Sequence, residues 1–206
     1  MPSAPPQRER AVTPLQTIRE LRPGSFIFER RNALPPSFCD EVIARFEANP
    51  DQQYEGRVGQ LRERDASVKQ TMDLVVSNKD NWTDVDEMLF RSLAAAMREF
   101  RETFPYFKGP FKDLGYQVQR YQPGQFYQWH VDGGSHELSQ RQLVALWYLN
   151  DVPGPGGATE FLYQDLSIQP ERGKLVLFPP FWTHEHRAQR IETGVKYIAT
   201  TWVVFA

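Results

Sequence analysis

The sequence predicts an α+β chain that is mainly β, with helices packed outside a β-sandwich or jelly-roll barrel. Three observations predict it. Two stretches in the first half repeat apolar residues at helical spacing. From Leu114 onward, short runs rich in Val, Tyr, Phe, Trp and Thr take over, separated by Gly, Pro, Asn and Asp. Neither half carries an internal repeat or a heptad.

The elements follow in order. Residues 1–24 hold Pro2, Pro5, Pro6, Pro14 and Pro23 and read as a loose leader, with a helical turn near 15–21. Residues 25–206 read as a single domain whose β core begins near 114. Phe26-Ile27-Phe28 suits a short strand. Pro35-Pro36-Ser37 opens a helix in which Phe38, Val42, Ile43 and Phe46 share a face and Asp40 and Glu41 fall in the first turn; Asn49-Pro50 ends it. Residues 51–67 are polar, carry Arg57, Arg62 and Arg64, and read as a solvated surface loop, with a mobile lid as the alternative. A strand follows over 69–76. Thr83 with Asp86 forms a capping-box start for a helix to about 104, with a stripe of Val85, Met88, Leu89, Leu93, Ala96, Met97 and Phe100. Strands are then expected at 115–122, 126–132, 142–150, 158–163, 174–178 and 196–205.

Composition removes several classes. In 206 residues, 40% are hydrophobic and 24% charged, so disorder over most of the length is excluded. A chain this long buries roughly 70% of its unfolded surface and needs no covalent staple. Net charge is −2, too balanced for a non-specific hold on nucleic acid or an anionic bilayer. Cys39 is the only cysteine, which excludes an intrachain disulfide and a cysteine-rich metal site. No apolar run approaches the ~20 residues of a membrane span, and the N-terminus lacks a signal-type apolar segment. A cytoplasmic location is expected, without membrane or nucleic-acid partners; oligomeric state is left open.

His130-Val131-Asp132 places an imidazole and a carboxylate two residues apart, on one face of a strand. Alone this is weak: 4 His and 26 acidic residues give roughly 0.5 such matches by chance. His184 and His186 lie beyond the intervening strands, and ten residues after His186 comes Lys196. Alternation puts Lys196, Ile198, Thr200, Trp202 and Val204 on one strand face. An ammonium heading such an apolar strand is costly to bury unless an anion meets it. Two His and a carboxylate with open positions favour non-haem Fe(II) that binds O2. His136 is expected to be exposed and uninvolved, and Trp129 and Trp147 to be structural.

These residues bring a family into view. Over about 114–204 the chain resembles the Fe(II)- and 2-oxoglutarate-dependent dioxygenases, in particular their prolyl 4-hydroxylase-like branch. The resemblance runs in order through Val118-Gln119-Arg120-Tyr121-Gln122-Pro123-Gly124, His130-x-Asp132, Leu146-Trp147-Tyr148-Leu149-Asn150, Gly156-Gly157-Ala158-Thr159-Glu160-Phe161, Phe178-Pro179, His186, Gly194-x-Lys196 and Trp202. In one place the chain departs: Arg190-Ile191 stands where many relatives have Pro-Val.

The resemblance implies a double-stranded β-helix core with Fe(II) held by His130, Asp132 and His186. The family's ten-residue spacing to a basic residue selects His186, with His184 the second choice. It implies 2-oxoglutarate chelating the iron, with Lys196 on its distal carboxylate, Tyr121 and Tyr148 donating to it, and Thr159 a weaker candidate. Lysine is a point charge and needs such helpers to fix orientation, where an arginine fork would not. O2 is the further co-substrate, and ascorbate an accompanying reductant. The implied activity hydroxylates an unactivated C–H bond, releasing succinate and CO2. The expected substrate is a prolyl residue or amino-acid-like molecule, in a peptide, protein or free. Asp132 favours hydroxylation, because related halogenases lack that carboxylate. Members that demethylate nucleic acid carry two arginines where this chain has Lys196 and no later Arg. The alternatives are an oxygenase acting on another small metabolite and a catalytically silent binding barrel.

Overall fold

A computed structural model describes residues 17–59 and 61–206. Most of the proline-rich leader, 1–16, therefore lies outside the described residues. Its end, where a helical turn was expected, is instead strand β1 (Arg19–Glu20), paired with β2 (Phe28–Arg30) and anchored by an ion pair from Arg19 to Glu29. Helix α1 (Pro36–Ala48) turns Cys39, Val42 and Phe46 inward, with no acidic residue in its first turn. The expected first-turn pair, Asp40 and Glu41, sits further along because Pro35 and Pro36 start the helix immediately.

After β3 (Tyr54–Glu55) and β4 (Met72–Val75) comes α2 (Thr83–Thr103), preceded by a short 3-10 turn. The capping box is not made. Trp82 stands at the cap position, the Thr83 hydroxyl donates back to the Asp80 carbonyl, and Asp86 accepts from the Ser77 hydroxyl. The expected stripe does face inward, together with Ser92, which accepts from the Trp147 indole and donates to the Ala33 carbonyl.

The remaining strands are β5 (Phe111–Asp113), β6 (Gln117–Tyr121), β7 (Tyr127–His130), β8 (Arg141–Tyr148), β9 (Thr159–Phe161), β10 (Leu166–Ile168), β11 (Leu175–Phe178), β12 (His186–Ala188) and β13 (Lys196–Phe205). They complete two antiparallel sheets. The large one runs β1-β2-β11-β8-β13-β6-β4-β3, with β5 also on β13; the small one runs β10-β9-β12-β7. The architecture is the jelly roll, a double-stranded β-helix with helices against its large sheet.

Two cores result, and β8 shows how one strand serves both. Leu143, Ala145 and Trp147 join the core under the helices, while Val144, Leu146 and Tyr148 join the core between the sheets. A strand covered on both faces reads as one apolar run, which explains the segment 143–149. β13 alternates likewise, Ala199 and Val203 facing the helices and Ile198 and Trp202 facing the small sheet. No helix among the described residues is long and apolar enough to cross a membrane.

Candidate active site

His130 ends β7 and His186 opens β12, and the two are direct partners across the small sheet. Asp132 follows two residues after His130 in a loop held by a 2.7 Å hydrogen bond from Gly133 N–H to the Pro180 carbonyl. Each imidazole is tied by the carbonyl two residues before it: Nδ1 of His130 lies 2.7 Å from the Gln128 carbonyl, and Nδ1 of His186 lies 2.9 Å from the His184 carbonyl. A carbonyl only accepts, so both Nδ1 atoms carry the proton and both Nε2 lone pairs are free. Those Nε2 atoms stand 3.9 Å and 3.6 Å from the two oxygens of Asp132.

The three donors lie within 4.8 Å of one another and could hold one metal ion. Burial pushes the His130 pKa down to about 3, keeping the ring in its neutral, ligating form. Burial pushes the Asp132 carboxyl up, but its neighbours, the Arg141 guanidinium among them, outweigh it and hold the group ionised. Two neutral imidazoles and one carboxylate on one side of an open cavity are the donor set that non-haem Fe(II) takes.

The cavity has a volume of about 920 Å³ and lies between the sheets. Lys196, wholly buried, lines it. Its ammonium donates 2.7 Å to the Gly157 carbonyl and lies over the rings of Tyr121 and Tyr148, at 4.9 Å and 5.9 Å from their centroids. Among the described residues no carboxylate pairs with it, and burial lowers its pKa to about 7. A desolvated cation left with one carbonyl and two π faces suits a dicarboxylate. Thr159 also lines the cavity, and it accepts at 2.7 Å from the Tyr148 hydroxyl. The Tyr148 hydroxyl also lies 3.4 Å from the Ile168 carbonyl. The Tyr121 hydroxyl donates to Gln119 at 3.3 Å.

His184 is brought to a different place. It is buried, with its ring nitrogens at 2.9 Å from the Ser25 carbonyl and from the Thr183 hydroxyl, and its own carbonyl is what orients His186. His136 is exposed, and Trp147 is buried in the core under the helices. Arg57 and Arg62 are exposed and border the cavity, on a turn closed by the bridge Val58↔Glu63, while Arg64 pairs with Glu55 at 2.6 Å.

Three features escaped the sequence reading. Arg141 donates 2.7 Å to the Asp132 carbonyl and lies flat over Trp202 at 3.7 Å. Like Lys196, it is a cation heading an apolar strand, and that signal was legible. Tyr127 stacks on His130, and a buried ion pair, Lys69–Asp73 at 2.7 Å, stands in the cavity wall. Each pair is local in sequence, His130 three residues after Tyr127 and Asp73 four after Lys69, but only the bridge between Lys69 and Tyr127 brings the two pairs together.

Comparison with known proteins gives first a class. Residues 116–204 match the model of the 2OG-Fe(II) oxygenase superfamily, so the resemblance read from the motifs stands. No curated protein sequence is similar enough to match. Among solved structures, the fold is similar to a prolyl hydroxylase from Trichoplax adhaerens, in complex with a hypoxia inducible factor oxygen degradation domain peptide. That likeness has a TM-score of 0.76 at 15% identity, covering 88% of this chain and 84% of that one. It is also similar to a Pseudomonas putida prolyl-4-hydroxylase (TM-score 0.66, 16% identity, 88% and 93% covered). A third is the viral collagen prolyl hydroxylase of Paramecium Bursaria Chlorella virus-1, in its 2OG complex (0.65, 20%, 89% and 97%).

Proposed function

We propose that this chain is an Fe(II)- and 2-oxoglutarate-dependent dioxygenase that hydroxylates a prolyl residue or a similar amino-acid-like group. One observation carries the reading: a complete His-Asp-His donor set shares its cavity with a buried lysine that, among the described residues, has no counter-anion. When bound, iron and 2-oxoglutarate supply the oxidation, in which O2 and 2-oxoglutarate give succinate, CO2 and one oxygen atom for the substrate C–H bond.

The chain's own residues do the rest. His130, Asp132 and His186 hold the metal on one side and leave the other side open to the cavity. Lys196 receives the distal carboxylate, and the Thr159 hydroxyl adds a directional donor that a lysine alone does not provide. The apolar faces of Ile198 and Phe178 line the same cavity and exclude water around the reacting groups.

A peptidyl substrate is favoured by Arg141 and Trp202. Both line the cavity beside Asp132, and among the described residues the Nε–H of Arg141 is buried without a hydrogen-bond partner. An idle donor next to the Trp202 ring suits a backbone carbonyl and the apolar ring of proline. The fold shared with prolyl hydroxylases supports the same choice.

Aerobic incubation with Fe(II), 2-oxoglutarate and a panel of proline-centred peptides, free proline and other amino acids tests this. Succinate together with a product heavier by one oxygen is expected with a peptide. Asp132→Ala should form no succinate while its thermal midpoint stays within a few degrees of wild type. A wild type that produces no succinate with any member of the panel would move the protein to the silent-barrel alternative.

A further inference from the structure

The two imidazoles of the metal site are steadied by different means. His186 is buried among core rings, with Phe178 at 4.8 Å and 73° to it and Phe161 at 5.6 Å and 29°. His130 lacks those phenylalanines and meets His186 only at a tilt, 4.2 Å between centroids and 54° between planes. Its Nδ1 bond to the Gln128 carbonyl acts at one edge of the ring, and a single edge bond leaves the plane free to swing about it. What meets its face is Tyr127, stacked at 3.5 Å between centroids and 15° between planes.

Tyr127 is itself backed. The Lys69 ammonium lies 5.2 Å from its ring centroid, and Lys69 is locked by Asp73 at 2.7 Å, whose second oxygen accepts from Thr71 at 2.7 Å. The main chains of Lys69 and Tyr127 form a bridge, flanked by hydrogen bonds from Gln70 N–H to Phe126 O at 2.9 Å and from Gln128 N–H to Val68 O at 2.8 Å. Gly56 keeps the space: a Cβ there would stand 2.0 Å from the Thr71 hydroxyl and 2.9 Å from the Lys69 stem. A buried ion pair costs desolvation and is weak evidence for stability alone. Here it holds a cation fixed against one ring, which in turn lies on a metal-ligand candidate.

We propose that Tyr127 is a positioning residue for the metal site, its ring fixing the plane of His130 so that Nε2 aims at the ion, with the Lys69–Asp73 pair as its backing. The role belongs to the flat face of the ring rather than to the phenol. It rests on the metal-site reading above. The orienting partners of a ligating histidine are commonly hydrogen-bonded groups; at His130 one bond and one aromatic face share that work.

The test uses Co(II) as probe, with no turnover. Binding is measured by calorimetry, and the ligand field is read from the visible absorption of the bound ion. Tyr127→Phe should bind Co(II) within about twofold of wild type, with the same spectrum. Tyr127→Leu should bind about tenfold more weakly, with an altered spectrum, while circular dichroism reports an intact fold. If Tyr127→Leu does not fold, Tyr127→Met fills the space flexibly without a flat face and should show the same loss. Wild-type affinity and spectrum in the Leu or Met variant would overturn the proposal, as would an equal loss in Tyr127→Phe. A wild type that takes up no Co(II) would overturn the metal reading itself, and this inference with it.

Discussion

Lys196 is buried with no carboxylate beside it among the described residues, and its titration carries two consequences. Burial lowers its pKa from 10.5 to about 7. In the unfolded chain the group titrates normally, so between pH 7 and 10 the unfolded state binds more protons than the folded one. The metal-free protein should therefore gain stability as pH rises through that window. Burial moves His130 and His184 down, away from that window, and the buried tyrosines up. Denaturant titrations at pH 7 and pH 9 should show the gain in wild type and its absence in Lys196→Met. A bound dicarboxylate raises the lysine pKa again, so binding takes up a proton above pH 7. Affinity for 2-oxoglutarate should fall with pH, by at most about tenfold per unit, and the calorimetric Kd of the metal-loaded protein reports it. Lys196→Met should bind 2-oxoglutarate weakly at every pH.

Among the elements, the connection between β8 and β9 supplies the acceptor that fixes Lys196. Gly156 and Gly157 both have positive φ, at +87° and +79°. A Cβ on Gly156 would stand 2.1 Å from the Arg190 carbonyl, and the Gly157 carbonyl is the acceptor for Lys196. Gly156→Ala should cost about 1–3 kcal/mol from the dihedral alone, read as a lower urea midpoint. It should also weaken 2-oxoglutarate binding, since Lys196 would lose its fixed acceptor. On α2, Leu89 faces the core with 1% of its surface exposed. Leu89→Ala should destabilise by about 2–5 kcal/mol and leave the metal and co-substrate affinities of the folded protein unchanged.

At the scale of the whole molecule, the donors come from β12, the edge strand β7 and the loop after it in the small sheet, and the cation from a central strand of the large one. The site therefore exists only when the sheets face each other, and its ligands should stabilise the whole fold. Mn(II) at a hundred times its Kd should add about 2.7 kcal/mol, seen as a raised thermal midpoint that a chelator reverses. Asp132→Ala should show no such shift.

The chain's own pattern determined the fold class, the inward face of α2, the two-faced run of β8, and His130, Asp132, His186 and Lys196 as candidates. These follow from spacing along one strand or helix, or from a charge that apolar neighbours make costly to bury, except that the choice of His186 over His184 rests on the family resemblance. The tertiary structure decided what depends on distant partners. It set Trp82 rather than a threonine at the cap of α2, gave His184 to the Ser25 carbonyl, and laid Arg141 on Trp202. It also placed Tyr127 against His130 with Lys69 behind it. Backbone periodicity is written locally, whereas a stack or an ion pair between strands is fixed by sheet register, which emerges only once the strands have paired.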